Sequence, residues 1–339
     1  MRKRPGMPLL ALLLVVFAAR GARAEPDPCA PEASVSPCFD ADALFVPTHA
    51  THFSTLPSAR PLAPGASTLL LAASLALEPV RLVVPSPAPE GREIHVVEAT
   101  STLTLGVGFG LGRGFGVRVE LPFVPYQKGT GVEGVTSQQA PPLASAAVRD
   151  PRIGLEYTVF GRTDDEPVAL GARFELVAPL GDEALLAGAR GTTFVPGLTL
   201  EALADRFAFA ADASLRLRSA VDFGTVQKGS EAVLGAGASL RALSSPRLEF
   251  GLEAWLRPGL AEAPADAAPD ALDLPAEWLA SAVFGWDPEG AFSLAVAGGS
   301  ALPLSKGPSP SGGTESFAGV TAPSFRALVA LRFTPPSSK

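Results

Sequence analysis

The stretch from Ser101 to Phe123, STLTLGVGFGLGRGFGVRVELPF, alternates strictly along its length. Leucine, valine or phenylalanine occupies each odd position from 103 to 111, and glycine occupies each even position from 106 to 116. A period of two places successive side chains on opposite faces, which indicates an extended strand. A dinucleotide-binding fingerprint needs glycines at i, i+2 and i+5, so glycines confined to even positions exclude it. The alternation resumes in the same parity after Gly114, which predicts a hairpin with a very short turn at Gly112 to Gly114.

The same alternation recurs along the chain and predicts about twelve strands between residues 66 and 333. Short turns are expected at 112–114, 161–167, 204–206, 244–247 and 287–290, and longer connections near 79–93, 125–147, 181–192, 220–230, 258–275 and 301–320. An even strand number with short turns at one end and long loops at the other is the layout of a bacterial outer-membrane barrel. A soluble sandwich has no reason to sort its loops in this way. We therefore predict an all-β fold, an antiparallel transmembrane β-barrel with short periplasmic turns and long extracellular loops.

Aromatic residues on the predicted outward face concentrate at the strand ends, as expected for two interfacial girdles. Those near the short turns are Phe109, Phe115, Phe207, Phe209, Phe250, Trp286, Phe292 and Phe333, and those near the long loops are Phe123, Phe194, Trp278 and Phe325. Charged residues of the strands lie almost wholly on the opposite face, since a lipid-facing Arg or Lys at mid-depth costs roughly 2–4 kcal/mol. The last strand, SFRALVALRF, ends at Phe333 before a short tail, residues 334–339.

Residues 1–24 have the features of a cleaved secretory signal: a basic start, a short apolar run and a small-x-small site. They carry five basic residues and no acid, so their removal changes the formal net charge from −7 to −12. A chain this acidic is a poor candidate for binding nucleic acid. We predict export to the outer membrane of a Gram-negative bacterium, with membrane lipid as one partner.

Residues 25–65 are rich in proline and alanine and lack strand periodicity, so we predict an irregular periplasmic segment there. Cys29 and Cys38 are the only cysteines, and in an exported chain they are expected to form a small-loop disulfide, the alternative being two free thiols. His49 and His52 make an HxxH pair that lacks a third ligand unless Cys38 is reduced. No metal site and no cofactor are therefore predicted.

The predicted lumen carries nine arginines and seven carboxylates, whose charges nearly cancel. They are Arg118, Arg152, Arg173, Arg216, Arg218, Arg241, Arg257, Arg326 and Arg332, with Glu120, Glu156, Glu175, Glu201, Asp212, Glu249 and Glu253. One interpretation is a polar channel that orients solutes, and the other is an arginine–carboxylate lattice that fills the barrel. Eight strands leave an interior filled by side chains and sixteen leave a channel, so twelve strands are intermediate.

Gly106, Gly108 and Gly110 occupy the lumenal face of their predicted strand. Glycine in a strand often marks a bend or a close approach by other backbone. This glycine strip is expected either to let the sheet coil tightly or to receive an inserted segment, from residues 25–65 or from an infolded loop.

One region resembles a known family. An amphipathic hairpin ending in LPF, a long loop and then RDPRIGLEYTVF are similar to the outer-membrane family associated with meta-pathway phenol degradation, over residues 100–180. Family members carry a Gly-Asp-Leu-Arg-Leu-Gly-Leu-Lys-Tyr-like strand at this place. The residues that match it in type are Asp150, Arg152, Gly154, Leu155 and Tyr157, whereas Pro151 and Glu156 depart from it. The resemblance implies movement of small, often aromatic, solutes across the outer membrane.

The predicted function is a passive channel or transporter for a small solute, and the alternative is a closed structural or surface-interaction barrel without transport. An outer-membrane hydrolase is less favoured, because the chain has three histidines and no GxSxG elbow. His95 points outward at the loop end of its strand, where catalysis would need a facing serine. The inward carboxylates have arginine partners that keep them ionised rather than poised for acid–base work.

Overall fold

The computed structural model describes residues 29, 35–42, 44–60, 62–84, 92–133, 135, 142–163, 166–224, 226–260, 274–286, 291–304, 318–320 and 322–335. The predicted signal peptide, residues 1–24, lies outside these ranges. The strands are β1 (Ser67–Val84), β2 (Arg92–Gly112), β3 (Phe115–Lys128), β4 (Ala147–Val148), β5 (Arg152–Phe160), β6 (Val168–Val177), β7 (Thr193–Ala204), β8 (Phe207–Arg216), β9 (Val221–Phe223), β10 (Val226–Lys228), β11 (Glu231–Ser244), β12 (Arg247–Leu256), β13 (Ala276–Gly285), β14 (Phe292–Ala301), β15 (Ala318–Val320) and β16 (Phe325–Phe333). A 3₁₀ turn spans Glu183–Leu185.

Twelve of these strands form a closed antiparallel barrel; the short strands β4, β9, β10 and β15 belong to the long connections. Each barrel strand pairs with its neighbours along the chain, and β1 pairs with both β2 and β16. The closing register runs from Leu69 opposite Phe333 to Leu77 opposite Phe325. The predicted all-β antiparallel barrel is therefore confirmed. No helix among the described residues is long and apolar enough to cross a membrane.

The connections alternate in length as predicted. Short turns lie at 113–114, 161–167, 205–206, 245–246 and 286–291, and long connections lie at 129–151, 178–192, 217–230, 257–275 and 302–324. The connection expected near 79–93 is shorter than predicted, because pairing continues past a register shift at Val80 as far as Val84 and Arg92. We call the two rims of the barrel the turn end and the loop end. Both β1 and β16 meet the turn end, since β1 starts there and β16 finishes there.

The outward face of the barrel is apolar over its whole circumference. Large apolar side chains from eleven of the twelve barrel strands are exposed, for example Leu105, Leu155, Leu200 and Val296, and β13 presents Ala280 with the partly exposed Trp278 and Phe284. A continuous exposed apolar surface of this kind marks contact with lipid or another apolar partner. Aromatic residues near both rims, among them Phe109, Phe207, Trp286, Phe194 and Phe325, are also exposed, as two girdles require.

An apolar cluster lies at the loop end, where the β1–β2 hairpin extends beyond the shorter strands. Val80, Leu82, Val96 and Val97 of the hairpin are fully buried there and pack with the N-terminal segment and with three long connections. The other members are Cys29, Val35, Cys38 and Phe39 from the N-terminal segment and Val132, Leu186, Val221 and Phe223 from long connections. The cluster therefore fixes the N-terminal segment at the loop end.

Candidate functional site

A segment of the chain itself enters the lumen from the loop end, and we call its described residues between 35 and 62 the plug. At the loop end, Val35 forms a bridge with Phe223, and at the turn end the Gly65 amide, just after the plug, donates to the Gly110 carbonyl. We predicted an irregular periplasmic segment at 25–65. Its described residues are irregular, but residues 44–60 lie inside the barrel, because the inward charges offer partners for their backbone. The expected periplasmic position is therefore wrong for this part.

Carboxylates of the wall accept hydrogen bonds from the plug backbone. Glu253 accepts from the amides of Ser54 at 2.7 Å, Thr55 at 2.9 Å and Leu56 at 3.1 Å, and from the Thr55 hydroxyl at 2.7 Å. Glu120 accepts in the same way from the amide and hydroxyl of Thr48, and Glu201 accepts from the Ser58 hydroxyl and the Ala59 amide. Buried backbone groups need partners, so these side chains replace the ladder that the plug lacks.

Arginines donate hydrogen bonds to backbone carbonyls of the plug and of the turn end. Arg332 of β16 donates to the carbonyls of Pro47 and Ser54, at 3.2 and 2.9 Å. Arg60, in the plug, donates to three carbonyls of the 161–167 turn, those of Gly161, Thr163 and Glu166. The plug is therefore tied to the wall at mid-depth and to the turn end.

His52 lies buried between two wall carboxylates. Its Nδ1 is 2.9 Å from Glu249, and its Nε2 is 3.7 Å from Glu201. Arg241 and Arg247 donate to the same Glu249, at 2.9 and 3.0 Å. The cluster is a further attachment of the plug, and it places His52 next to carboxylates.

The glycine strip is covered by the plug and the chain just after it. A Cβ atom built on Gly106 would lie 2.6 Å from the Thr48 hydroxyl, and one built on Gly110 would lie 2.2 Å from the Ala63 carbonyl oxygen. On Gly108 it would lie 2.9 Å from Thr68 Cγ2. These distances are shorter than a Cβ contact allows, so at Gly106 and Gly110 the inserted chain lies directly against the wall, and at Gly108 the neighbouring strand β1 does.

Near the loop end, the plug carries two carboxylates that bind arginines outside it. Asp42 contacts Arg326 at 2.7 Å and Arg149 at 3.5 Å, and Asp40 also pairs with Arg149. Although burial lowers the pKa of the Arg149 guanidinium, Asp40 and Asp42 raise it above its usual range. In the same connection, burial raises the pKa of the Asp150 carboxyl.

An arginine–carboxylate lattice covers the wall on one side of the plug. Arg118 pairs with Glu156 and Glu175, and Arg173 pairs with Glu175 at 3.1 Å and with Asp212. The opposite wall, from strands β1, β13, β14 and β16, is lined instead by small and branched apolar residues that pack on Val46. The lumen is therefore mainly charged on one side, whereas on the other side an apolar patch lies between Glu277 and Arg326 near the loop end and Arg332 near the turn end.

A cavity of about 60 Å³ remains between the plug and the charged wall. A buried water needs about 10–15 Å³ of such volume, so the cavity has room for roughly four to six waters. The plug side is formed mainly by Leu44, Phe45, Pro47, Leu56 and Pro57, and charged wall residues include Arg118, Arg173, Asp212 and Arg216. This cavity is one space in the described lumen that a small solute could occupy.

The sixteen charged residues predicted to face the lumen all lie among the described residues. Twelve are buried, Glu156, Arg173 and Arg218 are partly exposed, and Arg241 is the most accessible, with its side chain 38% exposed. Glu231 and Glu277 were not among the predicted residues, and they pair with Arg216 and Arg257. Glu277 could have been found, because it alternates with the outward Trp278. Cys29 and Cys38 form a disulfide at the loop end.

The barrel is similar to solved outer-membrane proteins. An outer-membrane channel from Pseudomonas putida F1 matches at 15% identity with a TM-score of 0.55, over 81% of this chain and 97% of that chain. The NanC porin matches at 8% identity with a TM-score of 0.46, over 78% of this chain and 98% of that one. The toluene transporter TodX of P. putida matches at 11% identity with a TM-score of 0.42, over 81% and 92%.

No protein-family model matches the chain, and no curated protein sequence matches it. The chain has the fold of an outer-membrane β-barrel, which the similarity to the P. putida F1 channel shows. The resemblance to the meta-pathway family stays a prediction.

Proposed function

We propose that this protein is an outer-membrane channel for a small solute, closed by its own plug in the conformation described here. The observation that carries the proposal is the cavity between the plug and the charged wall. A barrel filled for rigidity alone would gain from closing this space, because buried voids forfeit packing contacts. The solute passes along the charged wall once the plug moves, entering and leaving through the two rims.

The construction of the plug supports movement. The described residues of the plug form no helix or multi-residue strand, and side-chain hydrogen bonds hold them to the wall. The twelve barrel strands are joined by continuous ladders, so the plug can shift without opening the wall. Elements with few backbone ladders open locally at a lower free energy than the sheet that surrounds them.

A second candidate is a closed structural barrel without transport. It is favoured by the number of attachments that hold the plug, which include the contacts of Glu253, Arg332, Arg60 and Asp42. A catalytic role is not proposed. The His95 imidazole lies near Glu78, at 3.7 Å, and His52 lies between Glu249 and Glu201.

Liposome swelling tests the channel. Folded protein, identified by its heat-modifiable migration on a gel, is reconstituted and exposed to neutral solutes of increasing size. The channel predicts swelling for the smallest solutes and none for larger ones, whereas the closed barrel predicts no swelling at any size.

A labelling experiment then tests the route. Ser214 lines the cavity and Ser239 faces inward away from it, and the native cysteines are already paired. A bulky thiol reagent is expected to block swelling in Ser214→Cys and to leave Ser239→Cys active. Equal sensitivity of the two variants would contradict a route along the charged wall.

A further inference from the structure

Six arginines surround the plug at the loop end of the lumen, and we call them the mouth arginines. They are Arg149, Arg152, Arg216, Arg218, Arg257 and Arg326. Arg152 opens β5, Arg216 closes β8 and Arg326 is the second residue of β16, so all three stand at the loop-end rim. Arg149 and Arg257 flank strand ends at the same rim.

The wall supplies too little negative charge for this group. Among the described residues, Glu231 pairs with Arg216 at 2.9 Å and with Arg218 at 3.7 Å, and Glu277 pairs with Arg257 and Arg326 at 2.6 and 2.8 Å. The next wall carboxylate, Glu120, is 3.9 Å from Arg152 and is also 3.5 Å from Arg118, which lies outside the group. Among the described residues, three wall carboxylates thus face six guanidiniums, an excess of three positive charges.

The plug supplies the missing partners. Asp42 places one oxygen 2.7 Å from Arg326 and the other 3.5 Å from Arg149, so a single carboxylate bridges two guanidiniums. Asp40 adds a second carboxylate at Arg149. These two residues reduce the positive excess that the wall leaves at the mouth from three charges to one, and they belong to a segment that is not part of the wall.

Phe45 completes the arrangement. The centre of its ring lies 3.1 Å from Cζ of Arg152 and 3.8 Å from Cζ of Arg216, so the ring contacts two guanidiniums. Among the described residues, the buried Arg152 guanidinium donates no hydrogen bond, and its Nε is unsatisfied. Such burial is costly for a cation, and the cation–π contact offsets only part of the cost. Arg152 therefore has hydrogen-bonding capacity that the wall and the plug leave unused.

We infer that the mouth arginines form a binding site for small organic carboxylates, and that Asp42 and Phe45 occupy this site in the closed conformation. An incoming carboxylate replaces the bridge that Asp42 makes between Arg149 and Arg326, and movement of Phe45 frees Arg152 to bind it. Bidentate pairing with guanidinium is the strongest hydrogen bonding open to such a solute. The inference rests on the proposed function, since it names the class of solute that the channel admits.

Binding of succinate, with succinamide as the uncharged probe of similar size, tests the site by titration calorimetry on the folded full chain. Asp42→Asn removes the internal competitor and keeps its shape, so succinate should bind about tenfold more tightly than to the wild-type protein. Phe45→Leu should also tighten succinate binding. Arg326→Gln in the Asp42→Asn background should abolish the gain, and Asp205→Asn, at the turn end, should bind as the wild-type protein does.

The inference is overturned if neither Asp42→Asn nor Phe45→Leu tightens succinate binding, or if succinamide binding tightens equally. Heat-modifiable migration identifies the folded variants, and the two independent substitutions keep the test open if one of them fails to fold. Failure here with normal swelling by neutral solutes would leave the channel intact and remove the carboxylate site. Tightened succinate binding without flux of any solute would support the site and remove the channel.

Discussion

Replacement of Glu253 by glutamine should release the middle of the plug. The carboxylate accepts three backbone amides and one hydroxyl, at 2.7 to 3.1 Å, and it is fully buried. Glutamine keeps one acceptor oxygen, and its NH₂ group would face an amide donor that needs an acceptor. One bond to a charged group is worth about 1.5–3 kcal/mol, and the remaining bonds weaken when the charge is lost. We expect the plug to open locally about 3 kcal/mol more easily, roughly a hundredfold in the opening equilibrium.

Hydrogen exchange followed by mass spectrometry measures this opening in the folded protein. Peptides that contain Ser54 to Leu56 should exchange roughly a hundredfold faster in Glu253→Gln, while peptides from the barrel strands keep their protection. The matched control is Glu98→Gln, because Glu98 pairs with Lys128 in an exposed position. Unchanged exchange at these amides would refute the attachment, and equal acceleration over the whole barrel would show that Glu253 supports the fold instead of the plug.

Three further outcomes are expected. Gly110→Ala should reduce the folded fraction on a heat-modifiability gel, because its Cβ would lie 2.2 Å from a backbone oxygen. The control Gly298→Ala should fold normally, because the nearest atom to a Cβ there is 3.7 Å away. Val296→Arg, on the lipid face, should cost roughly 2–4 kcal/mol of unfolding free energy in vesicles, and Leu304→Arg, beyond the strand end, should cost much less. Cys38→Ser should lower the stability of the N-terminal segment by roughly 2–3 kcal/mol, seen as faster proteolysis there, with an unchanged barrel.

The barrel could be predicted from sequence because the alternation that specifies each strand is visible in neighbouring residues. The twelve barrel strands show the period of two, and a shift of one residue would turn charges such as Arg118 toward lipid. The sorting of short and long connections then indicated closure in a membrane. The β1–β2 connection was misplaced, since pairing crosses the shift at Val80 and continues to Val84, and no local signal marks such an extension.

The plug could be anticipated only in outline. The glycine strip predicted a place for inserted chain. The conformation of the plug, however, depends on hydrogen-bond partners far away in sequence, since Ser54 and Glu253 are 199 positions apart. A segment without periodicity gives no indication of which wall residues will bind it. The sequence prediction of either a channel or a lattice considered only residues of the wall. Asp42 and Phe45 lie on the plug and contact arginines of the wall, so their role could not be predicted.

The central claim is that movement of the plug opens the channel, and a reversible cross-link tests it most directly. Thr48 Oγ1 lies 2.6 Å from the position of a Cβ atom on Gly106, so the pair Thr48→Cys and Gly106→Cys is close enough for a disulfide that locks the plug to the wall. The wild-type protein and the single variant Thr48→Cys, treated with the same oxidant and reductant, control for effects on the native disulfide and on the Thr48 contact with Glu120.

Solute flux into liposomes is then measured before oxidation, after oxidation and after reduction. The account predicts that the oxidised double variant falls to the rate of protein-free liposomes and recovers on reduction, while both controls keep their flux throughout. Flux through the oxidised, fully cross-linked double variant at the wild-type rate would contradict the account, because solute would then cross the barrel with the plug fixed in place.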